Sequence, residues 1–322
     1  MVFQGWICVS PEDDSLPLRK SRQSGERQVS NVVGFIGLGS MGLPIATNLV
    51  DGYRLRVYNR TPHKAQSLVD QGIELGNTPA DVVEPGGIVI SMLANDQALE
   101  DIVLGEGGIL EKLGSGGIHI SMSTVSPTTA QRLAQQHEQQ GSHYLAAPVF
   151  GRPEAAAARK LWICLSGNEA AKERVLPLLK GLGQKVFDFG EQVGAANVVK
   201  LSGNFLIVSA LEAMAEAFTL AEKNGIERTQ VAELFGQTLF ACPIYQNYGR
   251  AIAQEQYEPA GFKLSLGLKD VDLVLQTAGE SQMPMPLASL VHDRLIAAVA
   301  KGRGDIDWTG LALSVSEEAG LK

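Results

Sequence analysis

The stretch Val32-Val33-Gly34-Phe35-Ile36-Gly37-Leu38-Gly39-Ser40-Met41-Gly42 decides how the rest of the chain is read. An uncharged apolar run, suited to a strand covered on both faces, passes directly into a G-x-G-x-x-G turn, and an apolar helical stretch follows. Placement gives the motif its meaning. The first glycine permits a tight turn, the second lets the backbone approach a pyrophosphate, and the third lets helix and strand pack closely. The phosphates then lie at the helix N-terminus. A glycine-rich turn with no ligand would fit the letters equally well, but the strand–loop–helix context favours dinucleotide binding. Gly37, Leu38, Gly39, Ser40, Met41 and Gly42 are the expected phosphate-side residues.

Outward from this loop, the next apolar run ends in Tyr58-Asn59-Arg60-Thr61-Pro62. Sheets that select NAD carry an Asp or Glu near this point for the ribose hydroxyl, and none stands here. Arg60 offers paired charged hydrogen bonds to a 2′-phosphate instead, with Asn59 and Thr61 beside it, so NADP(H) is preferred over NAD(H). Asn59 and Thr61 could equally cap the helix after Pro62.

Strands are expected at residues 32–36, 54–58, 88–93, 118–122, 144–149, 162–165 and 185–187, alternating with helical stretches in a βαβ rhythm. Ser126 as N-cap with Pro127 at the first helical position, and Gly141 as the stop, mark the clearest of those helices. After Gly194 the strand signal disappears, and helices are expected at 195–223, 229–238, 266–278 and 286–300. The fold class is therefore an α/β Rossmann domain, residues 31–194, followed by an all-α domain, residues 195–322. Residues 1–30 mix both charges around Pro and Ser without period and read as a flexible tail.

The whole chain is compatible with this two-domain plan, since 322 residues exceed the roughly 250–300 at which single cores stop growing. A net charge of −8 argues against nucleic acid, which needs a basic surface. Cys8, Cys164 and Cys242 show neither disulfide nor zinc spacing, so a reducing cytoplasm fits and no metal is expected. No run suggests a membrane span or a secretory signal.

One helix stands out. From Asn197 to Met214 it is nearly apolar all round, which demands burial at a domain or subunit interface. Lys200 is the only charge between Glu191 and Glu212. A buried ammonium lowers its pKa into the range useful for proton transfer, whereas a snorkelling lysine would send its amine to water. Asn204 lies four residues on, along the same face. Lys269-Asp270 reads by itself as a solvated charge pair, and the five histidines show no ligand or triad spacing.

Taken together, these motifs resemble the β-hydroxyacid dehydrogenase family, which includes 3-hydroxyisobutyrate dehydrogenases and the tartronate, glyoxylate and succinic semialdehyde reductases. The resemblance covers about residues 32 to 315. It rests on the glycine loop, Asn59-Arg60-Thr61, Ser121-Met122-Ser123-Thr124-Val125-Ser126-Pro127, Ala147-Pro148-Val149-Phe150-Gly151-Arg152, Lys200-Leu201-Ser202-Gly203-Asn204 and Lys269-Asp270-Val271-Asp272-Leu273. It implies Lys200 as the catalytic residue with Asn204 supporting it, Ser123 at the substrate, and Leu93, Thr124 and Lys269 with the cofactor. It also implies a homodimer or homotetramer acting on a small β-hydroxy acid and its semialdehyde or keto acid.

Two stretches depart from the family pattern. Many members read Pro-Val-Ser-Gly-Gly where this chain has Pro148-Val149-Phe150-Gly151-Arg152, which leaves Gly151 and Arg152 as the expected substrate contacts; Gly203 replaces the usual Asn. 6-Phosphogluconate dehydrogenase, which carries a His before the matching Asn, fits less well. Two other readings compete: an imine reductase of the same fold, which usually has Asp or Tyr in place of the lysine, and a non-catalytic dinucleotide-binding scaffold, whose relatives have lost it.

Overall fold

The computed structural model describes residues 32–321; the expected tail at residues 1–30 lies outside the described residues. The chain begins as β1 (Val32–Ile36), α1 (Gly42–Thr47), β2 (Arg54–Tyr58), α2 (Gln66–Val69), β3 (Glu74–Leu75) and β4 (Ile88–Ser91). It continues as α3 (Asp96–Leu104), α4 (Ile109–Leu113), β5 (Ile118–Ser121), α5 (Pro127–Gln139) and β6 (His143–Ala146). The six strands are parallel and ordered β3-β2-β1-β4-β5-β6. The order reverses between β1 and β4, and in such sheets ligands bind beyond the carboxyl ends of the strands at that switch point.

Both faces are covered, which is why the strands read as apolar throughout. Val33, Phe35, Val57 and Ile90 pack on one side with Ile45, Leu49 and Leu68. Ile36 and Val89 pack on the other with Leu99, Val103 and Leu133. The start of α5 follows the sequence: Ser126 Oγ accepts from the Thr129 N–H at 3.0 Å, and Pro127 occupies the first turn.

The strand expected at 144–149 is two strands in different sheets. β6 ends at Ala146, and β7 (Val149–Phe150) starts a second sheet after Pro148, which has no N–H to continue a ladder. There β7 pairs antiparallel with β8 (Leu161–Leu165), which pairs parallel with β9 (Gly183–Asp188). Between them lie α6 (Pro153–Ala157) and α7 (Glu169–Lys180).

Helices alone follow: α8 (Ala195–Lys223), α9 (Arg228–Gln237), α10 (Pro243–Ala253), α11 (Leu264–Glu280), α12 (Pro286–Ala300) and α13 (Ala312–Glu318). Helix α8 packs against all five of the others and also touches α5 and β8. Its Val208, Leu211 and Phe218 join Leu264, Val291, Leu295 and Trp308 in one core. Burial all round, the expectation for this helix, holds for one face only. Leu206 and Leu220 are 66% and 67% exposed on the opposite face. By length and composition α8 is also apolar enough to cross a membrane, contrary to the sequence reading, and half of its most apolar 18-residue window is buried within the protein.

Candidate active site

The glycine loop joins β1 to α1 at the switch point, and each glycine has a separate steric reason. Gly37 has φ +97°, and a Cβ there would lie 2.3 Å from the Met92 carbonyl oxygen. At Gly42 it would lie 1.8 Å from the Gly37 oxygen. At Gly39 a Cβ would meet nothing within 4 Å, so the absent side chain there serves something outside the chain's own packing. The N–H groups of Gly39, Ser40 and Met41 have no partner among the described residues. Free donors beside an open glycine are what a pyrophosphate requires, so this loop fits a dinucleotide.

Asn59 holds the loop to the end of β2. Its Oδ1 accepts from the Leu38 N–H at 2.8 Å, and its Nδ2 donates to the Thr61 carbonyl at 2.8 Å. Thr61 stands at the N-cap position of the short turn Pro62–Ala65 but makes no side-chain cap bond. Arg60 is exposed and forms no ion pair among the described residues.

A cleft of about 900 Å³ runs from the glycine loop to the helices. Of the expected residues, Gly39, Ser40, Met41, Gly42, Leu93, Thr124, Gly151, Arg152, Lys200, Asn204 and Lys269 line it. Gly37 and Leu38 stand behind the loop surface, and Asn59, Arg60 and Thr61 stand at the β2 end. Ser123 is not brought into the cleft: it is fully buried, and its hydroxyl accepts from the Leu93 N–H at 2.8 Å. It thereby fixes the segment after β4 to the segment after β5.

At the floor, one polar chain crosses from α8 to α11 and back to the sheet. Lys200 Nζ donates to Asn204 Oδ1 at 2.9 Å, and Asn204 Nδ2 donates to Asp270 Oδ2. Lys269 pairs with Asp270 Oδ1 at 2.6 Å and donates to the Thr124 carbonyl at 2.8 Å. The spacing of Lys200 and Asn204 by one helical turn puts both on the buried face, at 8% and 5% exposure. Asp270 is 2% exposed, so the reading of Lys269-Asp270 as a solvated pair is corrected; α11 packs on α8 and removes the carboxylate from water.

Burial lowers the Lys200 pKa to about 8; Asp270 and Cys164 pull it back up, and Lys269 pushes it further down. An amine with that pKa gives and takes a proton near neutrality. The Phe150 ring lies 4.2 Å from Nζ, a contact that favours the ammonium form.

Arg152 was expected to meet the substrate's acid group, and its guanidinium is already engaged. Its Nη2 lies 2.8 Å from Asp307 Oδ2, and its Cζ lies 4.7 Å from the centre of the Tyr248 ring. Asp307 also accepts from the N–H groups of Gly261, Phe262 and Thr309, so the pair forms a strut across the cleft. Sequence reading missed Asp307, Tyr248 and the whole of α10. An aspartate N-capping the turn Trp308–Leu311 was the available signal.

The same conclusion comes from related proteins. The model for the NAD-binding domain of 6-phosphogluconate dehydrogenase matches residues 32–190. The model for the NAD-binding domain of NADP-dependent 3-hydroxyisobutyrate dehydrogenase matches residues 194–314. An uncharacterized oxidoreductase of Bacillus subtilis is 46% identical over 87% of this chain and 98% of its own length. Glyoxylate/succinic semialdehyde reductase 1 of Arabidopsis thaliana is 31% identical over 88% of this chain and 98% of its own. The solved 3-hydroxyisobutyrate dehydrogenase of Mycobacterium tuberculosis, with L-serine, superposes with a TM-score of 0.79 at 25% identity, covering 89% of this chain and 99% of that one.

Fold, loop and relatives thus define an oxidoreductase that uses a nicotinamide dinucleotide and acts on the CH–OH group of hydroxy acids. The chain belongs to the β-hydroxyacid dehydrogenase family.

Proposed function

We propose that the protein is an NADP(H)-preferring reductase or dehydrogenase that interconverts a carbonyl acid and its β-hydroxy acid, with Lys200 as the general acid and base. The observation that carries this reading is the buried Lys200–Asn204–Asp270 chain opening on the cleft that begins at Gly39. A bound nicotinamide supplies or accepts the hydride at the carbonyl carbon. In reduction the Lys200 ammonium hands its proton to the carbonyl oxygen, and in oxidation the neutral amine takes it from the hydroxyl. Asn204 holds the amine in place, and its own amide is oriented by Asp270. The free N–H groups at residues 39–41 would receive the pyrophosphate and Arg60 the 2′-phosphate, with Leu93, Thr124 and Lys269 beside the nicotinamide half. Residues 31–194 then form the cofactor domain and 195–322 the substrate and assembly domain of a cytoplasmic homo-oligomer.

Lys200→Ala tests the assignment. A positioned proton donor contributes about 10²- to 10⁴-fold, and turnover should fall on that scale. The dissociation constant for NADPH should stay near that of the parent protein, because no phosphate-binding group is altered. Near-normal turnover in the variant would remove Lys200 from the chemistry.

A further inference from the structure

The amine of Lys200 is held from two sides. Asn204 Oδ1 accepts from Nζ at 2.9 Å, and the Phe150 ring centre lies 4.2 Å from the same nitrogen. Asn204 is the one hydrogen-bond partner of that amine among the described residues. An ammonium carries three N–H donors. One goes to Asn204 and a second faces the ring, which leaves the third for the cleft that Lys200 lines.

Phe150 reaches this position because residue 203 is a glycine. A Cβ on Gly203 would lie 2.3 Å from the Phe150 Cζ and 2.6 Å from its Cε1, so the far edge of the ring rests on the α8 backbone, one residue before Asn204. Glycine weakens a helix interior, and here the close approach of the ring is what requires it. From the other side the ring is fixed by β7, where Phe150 pairs in register with Trp162 of β8. Any side chain at position 203 would lift the ring away from the amine. Phe150 and Gly203 each depart from the family pattern, and they meet at this contact.

The charged and titratable groups around the amine are Asp270 and Lys269 of α11 and Cys164 of β8. Asp270 and Lys269 act on the ammonium in opposite directions, and the Cys164 thiol is itself buried. A neutral ring attracts the cation without bringing a negative charge beside the acid group of a substrate. A further carboxylate in its place would repel that group.

We propose that Phe150 is a positioning residue for the proton transfer: its ring face, seated on Gly203, steadies the Lys200 ammonium and turns the remaining N–H to the carbonyl oxygen of the substrate. The proposal rests on the reading of Lys200 as proton donor and adds what aims it. In reduction the carbonyl carbon gains the hydride of the reduced nicotinamide, the π pair moves to oxygen, and oxygen takes the Lys200 proton, leaving the neutral amine. The carbonyl is reduced and the nicotinamide oxidised.

Graded fluorination of the ring tests this, because each fluorine weakens the negative face while the shape is nearly kept. Phe150 is replaced in turn by mono-, di- and trifluorinated phenylalanine. Lys200 is titrated in the full chain by NMR of isotope-labelled lysine, its signal assigned by its disappearance in Lys200→Ala. The titration midpoint should fall stepwise with the number of fluorines. Reduction of glyoxylate and succinic semialdehyde at about pH 9 should fall with it, by at least about threefold for the trifluorinated ring, while the dissociation constant for NADPH holds. Gly203→Ala should lower the midpoint as well. Combined with Phe150→Leu it should cost no more than Phe150→Leu alone, because with the ring gone the new methyl has nothing to displace.

A midpoint and rates that ignore fluorination would overturn the proposal and leave Lys200 as the proton donor. A midpoint that moves while the rates stay put would overturn the positioning role. If Lys200→Ala turns over near normally, the reading of Lys200 falls and the proposal falls with it.

Discussion

An amine as buried as Lys200 survives by having partners of both signs within reach, and these set its titration. Burial is the largest influence and brings the pKa to about 8, while Asp270 opposes that drop and Lys269 reinforces it. Reduction requires the protonated amine, so its rate should fall as pH rises through about 8; oxidation requires the neutral amine and should rise over the same interval. Asp270→Asn removes a charge that raises the pKa and should move both limbs to lower pH. Lys269→Gln removes a charge that lowers it and should move them up. Initial rates in both directions between about pH 6 and pH 10 give the answer, and limbs that ignore both substitutions would place the proton donor elsewhere. The other decisive residue is Arg60, a cation with no ion pair among the described residues at the end of β2. A charged bidentate contact contributes about 1.5–3 kcal/mol, so Arg60→Ala should weaken NADPH about 10- to 100-fold and leave NADH nearly untouched. Calorimetric titration with both cofactors decides this, and equal losses would refute an NADP preference.

Between elements, the joint of α5 with the sheet depends on two histidines that no local spacing connects. Ser91 Oγ meets His119 Nε2 at 2.8 Å, His119 Nδ1 meets His137 Nε2 at 3.2 Å, and His137 Nδ1 meets Ser142 Oγ at 2.9 Å. Burial holds the His119 pKa well below its usual value and, with His143 adding repulsion, brings His137 to about 4. Both are therefore neutral in the folded protein at pH 7, whereas the unfolded chain takes up protons below about pH 6.5. Their contribution is complete above that pH and is lost as pH falls towards 4, on the order of 3 kcal/mol for His137 alone. Denaturant unfolding at about pH 7 and pH 4.5 should show this loss, and His137→Gln should shrink it. An equal acid sensitivity in the variant would assign the effect to other groups. Such a chain was illegible because its members lie 18 and 28 residues apart and only the βα packing joins them. By contrast, β1, β2, α8 and α12 coincide with the sequence reading, because period and punctuation are local there. Helix α10 escaped it: Gly249 and two tyrosines lower its propensity, and the missing side chain at Gly249 is what lets Met214 and Phe218 of α8 approach. At the site, the glycine loop and the Lys200–Asn204 spacing were legible for the same local reason. The burial of Asp270 and the capture of Arg152 by Asp307, 155 residues away, depend on packing that no local pattern carries.

For the whole molecule, the unresolved balance is on the outer face of α8. Val198, Ser202, Leu206, Ala213, Ala217 and Leu220 recur every three, four or seven residues, all exposed, while Lys200, Asn204, Leu211 and Phe218 turn inward. Glu216, exposed between Ala213 and Leu220, is the one charge along it, and a stripe otherwise uncharged over six turns implies something to pack against. Small residues alternating with leucines suit a close approach of two helices, and a stripe that meets its own copy across a two-fold axis is self-complementary. Leu287, Leu290 and Ile296 of α12 and Met283 before it add exposed apolar surface to the same helical region. The protein should therefore be a homodimer or a larger even assembly at micromolar concentration, with light scattering reading at least twice the chain mass. Leu206→Lys together with Leu220→Lys places two ammonium groups on each copy of the stripe, and like charges facing each other across the axis should dissociate it. Because both positions lie on the face of α8 opposite Lys200, NADPH affinity should persist in the variant, which separates loss of assembly from loss of fold. A parent protein that scatters as a monomer would mean that the stripe serves some other surface, and a variant that stays assembled would move the interface off α8.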